Sequence, residues 1–163
     1  MGAGLIGLGE KEAKIAVFIG NRPPLFEYQQ LQDIRPLRPG ELAHLVEHCG
    51  NHWRKILNCY AKLVFLLNNE SFKCWQDYRD VKLLQAESQV QLRFDRELTS
   101  TGVNVICGRS HAESFDLPNN LYWTDAGFAI DAENRLIVSP YFDYRQLSNV
   151  KLAYLCRLIK SLL

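Results

Sequence analysis

Two apolar strands, each running straight into a proline-bearing loop, do most to limit what this chain can become. The first, Lys14-Ile-Ala-Val-Phe-Ile-Gly20, breaks into Asn21-Arg22-Pro23-Pro24. The second, Arg135-Leu-Ile-Val-Ser139, breaks into Pro140-Tyr-Phe-Asp-Tyr-Arg145 and then a helix. A short β-branched run without polar alternation is the pattern of a strand buried on both faces, as in parallel sheets covered by helices. In open α/β sheets, ligands bind just beyond the carboxyl ends of such strands. A site is therefore expected at these two loops.

The remaining elements follow from periodicity and breakers. Prolines 23, 24, 36 and 39 rule out a long regular element over residues 21–40 and leave an ordered loop with one helical turn near Phe26–Gln32. From Glu41 to Tyr60 the positions Leu42, Leu45, Cys49, Trp53, Ile56 and Tyr60 recur every three or four residues, which predicts an amphipathic helix. Lys62–Leu67 reads as a second buried strand ending at Asn68-Asn69. Residues 73–99, with Val81, Leu84, Val90, Phe94 and Leu98, read as one or two helices closed near Gly102. Val103–Cys107 is a third strand. Phe128–Ile130 and Leu136–Val138 flank a tight turn as an antiparallel hairpin. Ser148 is a fitting N-cap for a final helix through Leu152, Leu155, Ile159 and Leu162. Strands alternating with helices predict a three-layer α/β/α sandwich with a mostly parallel central sheet. The chain is expected to form a single domain over residues 1–163, with 1–12 as a flexible N-terminal segment.

At 163 residues the chain can bury a core without disulfides or metals. A net charge of +1 gives no bulk attraction to nucleic acid or membrane. Five scattered cysteines without a C-x-x-C pair read as reduced thiols. The Met1–Gly9 run is short for a secretion signal, and no window approaches the ~20 apolar residues of a membrane span. A soluble cytoplasmic protein is expected.

Candidate chemistry concentrates at the strand exits. Asn21 stands at the first, and His111 just past the third, where an imidazole can act as a base or hold a phosphate. Arg22, Arg109 and Arg145 also lie at strand exits, and guanidinium forks suit a phosphodiester. Tyr141, Phe142 and Tyr144 crowd the last loop, where a ring can stack on a base or pack beneath the loop. Gly2-Ala-Gly4-Leu-Ile-Gly7 spells the dinucleotide fingerprint but lacks the preceding strand that chemistry requires, so a tail or short edge segment is expected. His44, His48 and His52 recur every fourth residue on the polar flank of the predicted helix. They lack an evident carboxylate or thiolate to complete a metal site, so hydrogen-bonded histidines are the expectation and no metal or cofactor is assigned.

The order of strand exits resembles the uracil-DNA glycosylase superfamily, and its mismatch-specific branch in the closing stretch. The residues carrying the resemblance are Phe18-Ile-Gly20-Asn21-Arg22-Pro23, Val64-Phe-Leu-Leu-Asn68, Val105-Ile-Cys-Gly108-Arg109, Ile137-Val-Ser139-Pro140 and Leu147-Ser-Asn149-Val-Lys-Leu152. The resemblance implies a small bacterial-type DNA-repair protein that flips a damaged base into a pocket between the first and last loops. Gly20, Asn21, Arg22 and Pro23 would form one wall, Ser139, Pro140 and Tyr141 the other, with Arg109 or His111 as floor and Arg145 beside them. Two positions depart from the family pattern. Arg22 stands where a water-activating Asp or Asn is usual, and a guanidinium cannot deprotonate water. Ser139-Pro140-Tyr141 replaces the usual His or Asn followed by Pro and Ser. The residues thus leave three readings open: a DNA or nucleotide binder without evident cleavage chemistry, a non-enzymatic interaction module of the same fold and, third, a metal-dependent hydrolase built on His44, His48 and His52.

Overall fold

The computed structural model of the protein describes residues 4–68, 71–117 and 121–163. The chain opens on β1 (Gly7–Gly9) and β2 (Ile15–Phe18), then crosses the proline-rich stretch through α1 (Phe26–Gln29) and β3 (Ile34–Arg35). Three helices follow, α2 (Glu41–His48), α3 (Gly50–Leu67) and α4 (Trp75–Val81), before β4 (Val90–Arg93) and β5 (Val103–Cys107). Then come α5 (Arg109–Ala112), β6 (Tyr122–Trp123), β7 (Ala129–Asp131), β8 (Leu136–Ser139) and α6 (Asn149–Leu162).

These strands form one sheet in the order β3-β1-β4-β2-β5-β8-β7-β6. Its centre, β4-β2-β5-β8, is parallel throughout, while β1 runs antiparallel to β4 and the β6-β7-β8 edge is an antiparallel meander. The fold is α/β with a mostly parallel sheet. Alternation along β2 divides the core. Ile15 and Val17 face a large cluster with Leu45, Trp53, Ile56, Leu57 and Leu155, whereas Ala16 and Phe18 face Ile106, Phe115 and Val138. The two layers covering the sheet are unequal. The first is built from α2, α3, α4 and α6; the second from α5 and coil carrying Leu98, Phe115, Leu117 and Leu121.

The structure corrects four sequence expectations. Lys62–Leu67 is not a strand but the last turns of α3, because Ala61, Lys62 and Leu63 continue the helix and Tyr60, Leu63 and Val64 keep the helical spacing of buried residues. The break falls earlier, at Gly50, whose φ of +82° separates α2 from α3. Residues 73–99 are not helical throughout: α4 ends at Val81, and left-handed Leu84, Glu87 and Gln89 turn the chain into β4. The spacing of Val90, Phe94 and Leu98 imitates a helix, but Val90 and Leu92 alternate with buried Gln91 and Arg93 on a strand. Nor is the N-terminal segment loose or at the edge from Gly7 onward. β1 lies between β3 and β4, packed so closely that a Cβ on Gly7 would clash with the Leu92 carbonyl oxygen and one on Gly9 with that of Val90. Gly2 and Ala3 lie outside the described residues, as does Asn69.

Buried charges lock this side of the sheet. Arg93, 2% exposed, donates to both Asp95 carboxylate oxygens at 2.8 Å, to Gln91 Oε1 at 3.1 Å and to the Glu97 carbonyl at 2.9 Å. Asp95 in turn accepts from the backbone N–H of Ile6, fixing the entry to β1. Beyond β3, Glu41 accepts a fork from Arg35 at 2.8 and 3.0 Å, the Arg38 N–H and the Tyr28 hydroxyl. Burial works against that carboxylate, but the Arg35 fork and its other two donors prevail and hold it down at about 2.

Candidate functional site

The central strand order creates a switch point. From β2 the chain returns on one side as β4, then crosses to the other side as β5, so the connections leaving β2 and β5 diverge and a crevice opens between them. A cavity of about 540 Å³ lies there, bounded by Gly20 and Asn21 after β2, Gly108 to His111 after β5, and Tyr141 after β8. The first and last loops, 120 residues apart in sequence, are in contact: Asn21 Nδ2 donates to the Tyr141 hydroxyl at 3.3 Å.

Two glycines make this convergence possible. Gly108 has φ +97°, and a Cβ there would meet the Tyr141 ring at 3.2 Å. A Cβ on Gly20 would meet His111 Nδ1 at 3.2 Å. Beneath them the sheet continues into the loops, with the Gly108 N–H donating to the Ser139 carbonyl at 2.9 Å.

A third element closes the mouth. His52, on the first turn of α3, brings Nε2 to 2.9 Å from Asn21 Nδ2 and 2.9 Å from the Tyr141 hydroxyl, and its ring stacks on Tyr141 with 5.6 Å between centres. Burial pushes the Tyr141 phenol up to about 12, with the Asn21 amide partly offsetting it, so the hydroxyl keeps its proton and donates to His52. His52 Nε2 is then the acceptor for both neighbours.

His111 forms the inner wall. Its Nε2 is buried and makes no hydrogen bond among the described residues, while the ring packs edge-on against Phe115 at 5.0 Å. Burial, and secondarily the Arg96 guanidinium, holds the imidazole below its usual range, so it is neutral at physiological pH. Arg109 stands exposed at the rim, its guanidinium 4.5 Å from the centre of the Trp123 ring. No aspartate or glutamate lines the cavity among the described residues. Cys107 backs it, but burial pushes that thiol far up and its sulfur accepts the Phe142 N–H, so it is no nucleophile.

The other residues singled out by the sequence point elsewhere. Arg22 does not join the rim: one guanidinium nitrogen donates to the carbonyls of Tyr28, Gln29 and Leu31, capping the α1 turn. Pro23 is buried beneath that turn. Ser139 is 1% exposed and its hydroxyl donates to the Pro140 carbonyl, so it supports the loop from below, and half-buried Pro140 leads into Tyr141 without lining the cavity. Arg145 is exposed over Tyr144 and lies outside the cavity, where Gln146 takes the place expected for it. The His44 and His48 rings pack against each other, tilted, with 4.2 Å between centres, while His52 contacts Asn21 and Tyr141, and no cluster of three metal-ligating side chains occurs among the described residues. His52 is the site residue that sequence reasoning placed on the solvated flank; the fourfold histidine spacing was its one visible trace.

Fold and cavity together define an open α/β protein with a crevice at its topological switch point. By sequence the chain matches, over residues 6–160, a family of unknown function, DUF6942, and it belongs to that family. No curated protein and no solved structure matches it. No described helix is long and apolar enough to cross a membrane.

Proposed function

We propose that this is a glycosylase-like α/β protein whose carboxyl-edge pocket binds a nucleotide or a nucleotide unit of a nucleic-acid strand. The observation that carries the reading is the pocket's composition among the described residues: one rim arginine, neutral polar groups, an aromatic wall and no carboxylate, in a cavity of about 540 Å³ at the switch point. That size suits a small ligand. A phosphate would meet Arg109, whose guanidinium is free of carboxylate partners among the described residues. A heterocycle would lie against Tyr141 and offer its edge to Asn21, beside the His111 side chain that lines the cavity.

The reading assigns binding ahead of cleavage. Arg22 is held by three carbonyls, and Asn21 commits its amide nitrogen to His52 and Tyr141, which leaves Oδ1 as the acceptor able to orient a water. In a base-excision reaction Asn21 would hold that water and neutral His111 would handle the proton. We place the protein in the cytoplasm, where its five free cysteines would stay reduced.

Titration of the protein with a nucleoside monophosphate and with a single-stranded oligonucleotide, followed by tryptophan fluorescence and calorimetry, tests this. Saturable binding that weakens with salt and is lost in Arg109→Ala supports it. Absence of binding to either probe, or binding indifferent to Arg109→Ala and Tyr141→Ala, refutes it. Release of free base from uracil or mismatch duplexes would add the catalytic step.

A further inference from the structure

The helical layer holds a second concavity of different chemistry. Between α3, α4 and α6 runs a groove of about 380 Å³, floored by Phe65, Leu66, Leu152 and Ala153 and walled by Trp75. Leu66 is 44% exposed, although the other leucines of α3 are buried or half-buried. Trp75 is held by two cations, with Lys62 Nζ 5.1 Å and the Arg79 guanidinium carbon 5.6 Å from its ring centre. Arg79 is itself fixed by Asn58 at 2.7 Å and Asp80 at 2.8 Å, so the wall is preorganised.

Charge on two of the three surrounding helices has one sign, whereas α4 contributes exposed Asp77, and Asp80 paired with Arg79. α3 carries Arg54, Lys55 and Lys62, α6 carries Lys151, Arg157 and Lys160, and neither helix contains an aspartate or glutamate. The chain as a whole has 18 acidic residues against 19 lysines and arginines, so the asymmetry is segregation within the fold and not composition. Lys62 is the one of these cations that lines the groove itself, while Arg157 stands one helical turn beyond Ala153 and Lys160 two turns beyond Leu152. Of the six, only Lys55 forms an ion pair among the described residues, with Asp143 at 3.8 Å.

We propose that this groove docks an amphipathic helix of a partner protein, with apolar anchors on one face and flanking aspartates or glutamates. An apolar floor between two helices takes anchors spaced three and four apart, and the basic surround steers and orients an acidic segment. A second copy of the chain fits poorly. Two-fold packing through this face would set one basic helix pair against another. A nucleic-acid backbone would engage the cations but leave the leucine and phenylalanine floor uncovered. The proposal is independent of the carboxyl-edge pocket.

The probe is a synthetic amphipathic helix with leucines on one face and glutamates along its flanks, titrated into the intact protein by calorimetry with amide chemical shifts recorded. Saturable binding with shifts on α3, α4 and α6 is expected. Lys62→Glu and Leu66→Asp, both at surface-reaching positions, each weaken it by about tenfold or more, whereas Arg109→Ala leaves it unchanged. Three outcomes overturn the proposal: equal binding of a lysine-flanked version of the helix, indifference to both variants, or shifts lying outside the groove. Duplex DNA competing at the same residues would reassign the face to nucleic acid, and a dimer dissolved by Leu66→Asp would reassign it to a second copy. Either result also overturns it.

Discussion

The β1-β4 side of the sheet and its carboxyl edge use the same residue types to opposite ends. Around Arg93 and Glu41, every buried charge meets saturating partners: a two-oxygen fork, carbonyls, N–H groups and a phenol. At the carboxyl edge His111 Nε2 is buried without a partner among the described residues, and Arg109 rests on an aromatic face. The contrast recurs between two arginines that each follow a strand. Arg22 is consumed by three carbonyls, whereas Arg109 makes no hydrogen bond or ion pair among the described residues and lies over Trp123. A polar group whose capacity is filled by the chain is architecture, while one with capacity left over can recognise a ligand.

Breaking the saturated side should give the largest effect. Arg93→Ala leaves the largely enclosed Asp95 carboxylate without its cation, held only by the Ile6 and Glu97 N–H groups, and is expected to destabilise the protein by about 3 kcal/mol in denaturant unfolding. A loss below 1 kcal/mol would mean that the knot contributes little.

Next comes acid sensitivity at Glu41. Its carboxyl is held at about 2 against an ordinary 4.5, so folding binds fewer protons there than unfolding does. The associated stability, on the order of 3 kcal/mol, is complete above about pH 4.5 and lost as pH falls towards 2. Urea midpoints measured across that window should flatten in Glu41→Gln relative to wild type, after allowance for the variant's lower plateau. Parallel curves would assign the acid sensitivity to other carboxylates.

The paired arginines sharpen the comparison most directly. Arg22→Ala removes the donor shared by three carbonyls and is expected to cost about 1–2 kcal/mol. Arg109→Ala should change stability by less than about 0.5 kcal/mol while weakening nucleotide binding about tenfold or more. If both arginines altered stability alike, the distinction between filled and unfilled donors would fail.

The smallest effect is expected for Tyr141→Phe. It removes the hydroxyl that ties Asn21 and His52 together but keeps the ring, for an expected cost of about 0.5–1.5 kcal/mol. A comparable change in ligand affinity, without loss of the fold, would show that the three-residue contact shapes the pocket mouth.

Much of the fold is readable from local signals. β2, β5 and β8 are β-branched runs ended by glycine or proline, and Ser148 caps α6 through the Lys151 N–H, so each is specified by its own residues. β4 is not, because Val90, Phe94 and Leu98 satisfy a helical period, and only the slot between β1 and β2 selects the strand. The end of α3 is ambiguous for a similar reason, since a continuous apolar run fits a strand or a helix until its partner is known.

The same division applies to the site. Sequence determined that loops leave β2, β5 and β8 at one edge with Gly20, Asn21, Arg109, His111 and Tyr141 on them, because strand direction and loop breakers are local properties. Tertiary structure alone decided which side chains face the crevice. Arg22 turned back to α1, Arg145 stayed outside, and His52 arrived on α3, a helix remote in sequence from Tyr141. Side-chain direction at a loop depends on which unfilled carbonyls and rings lie within reach, and those neighbours exist only once the sheet has brought its strand ends together.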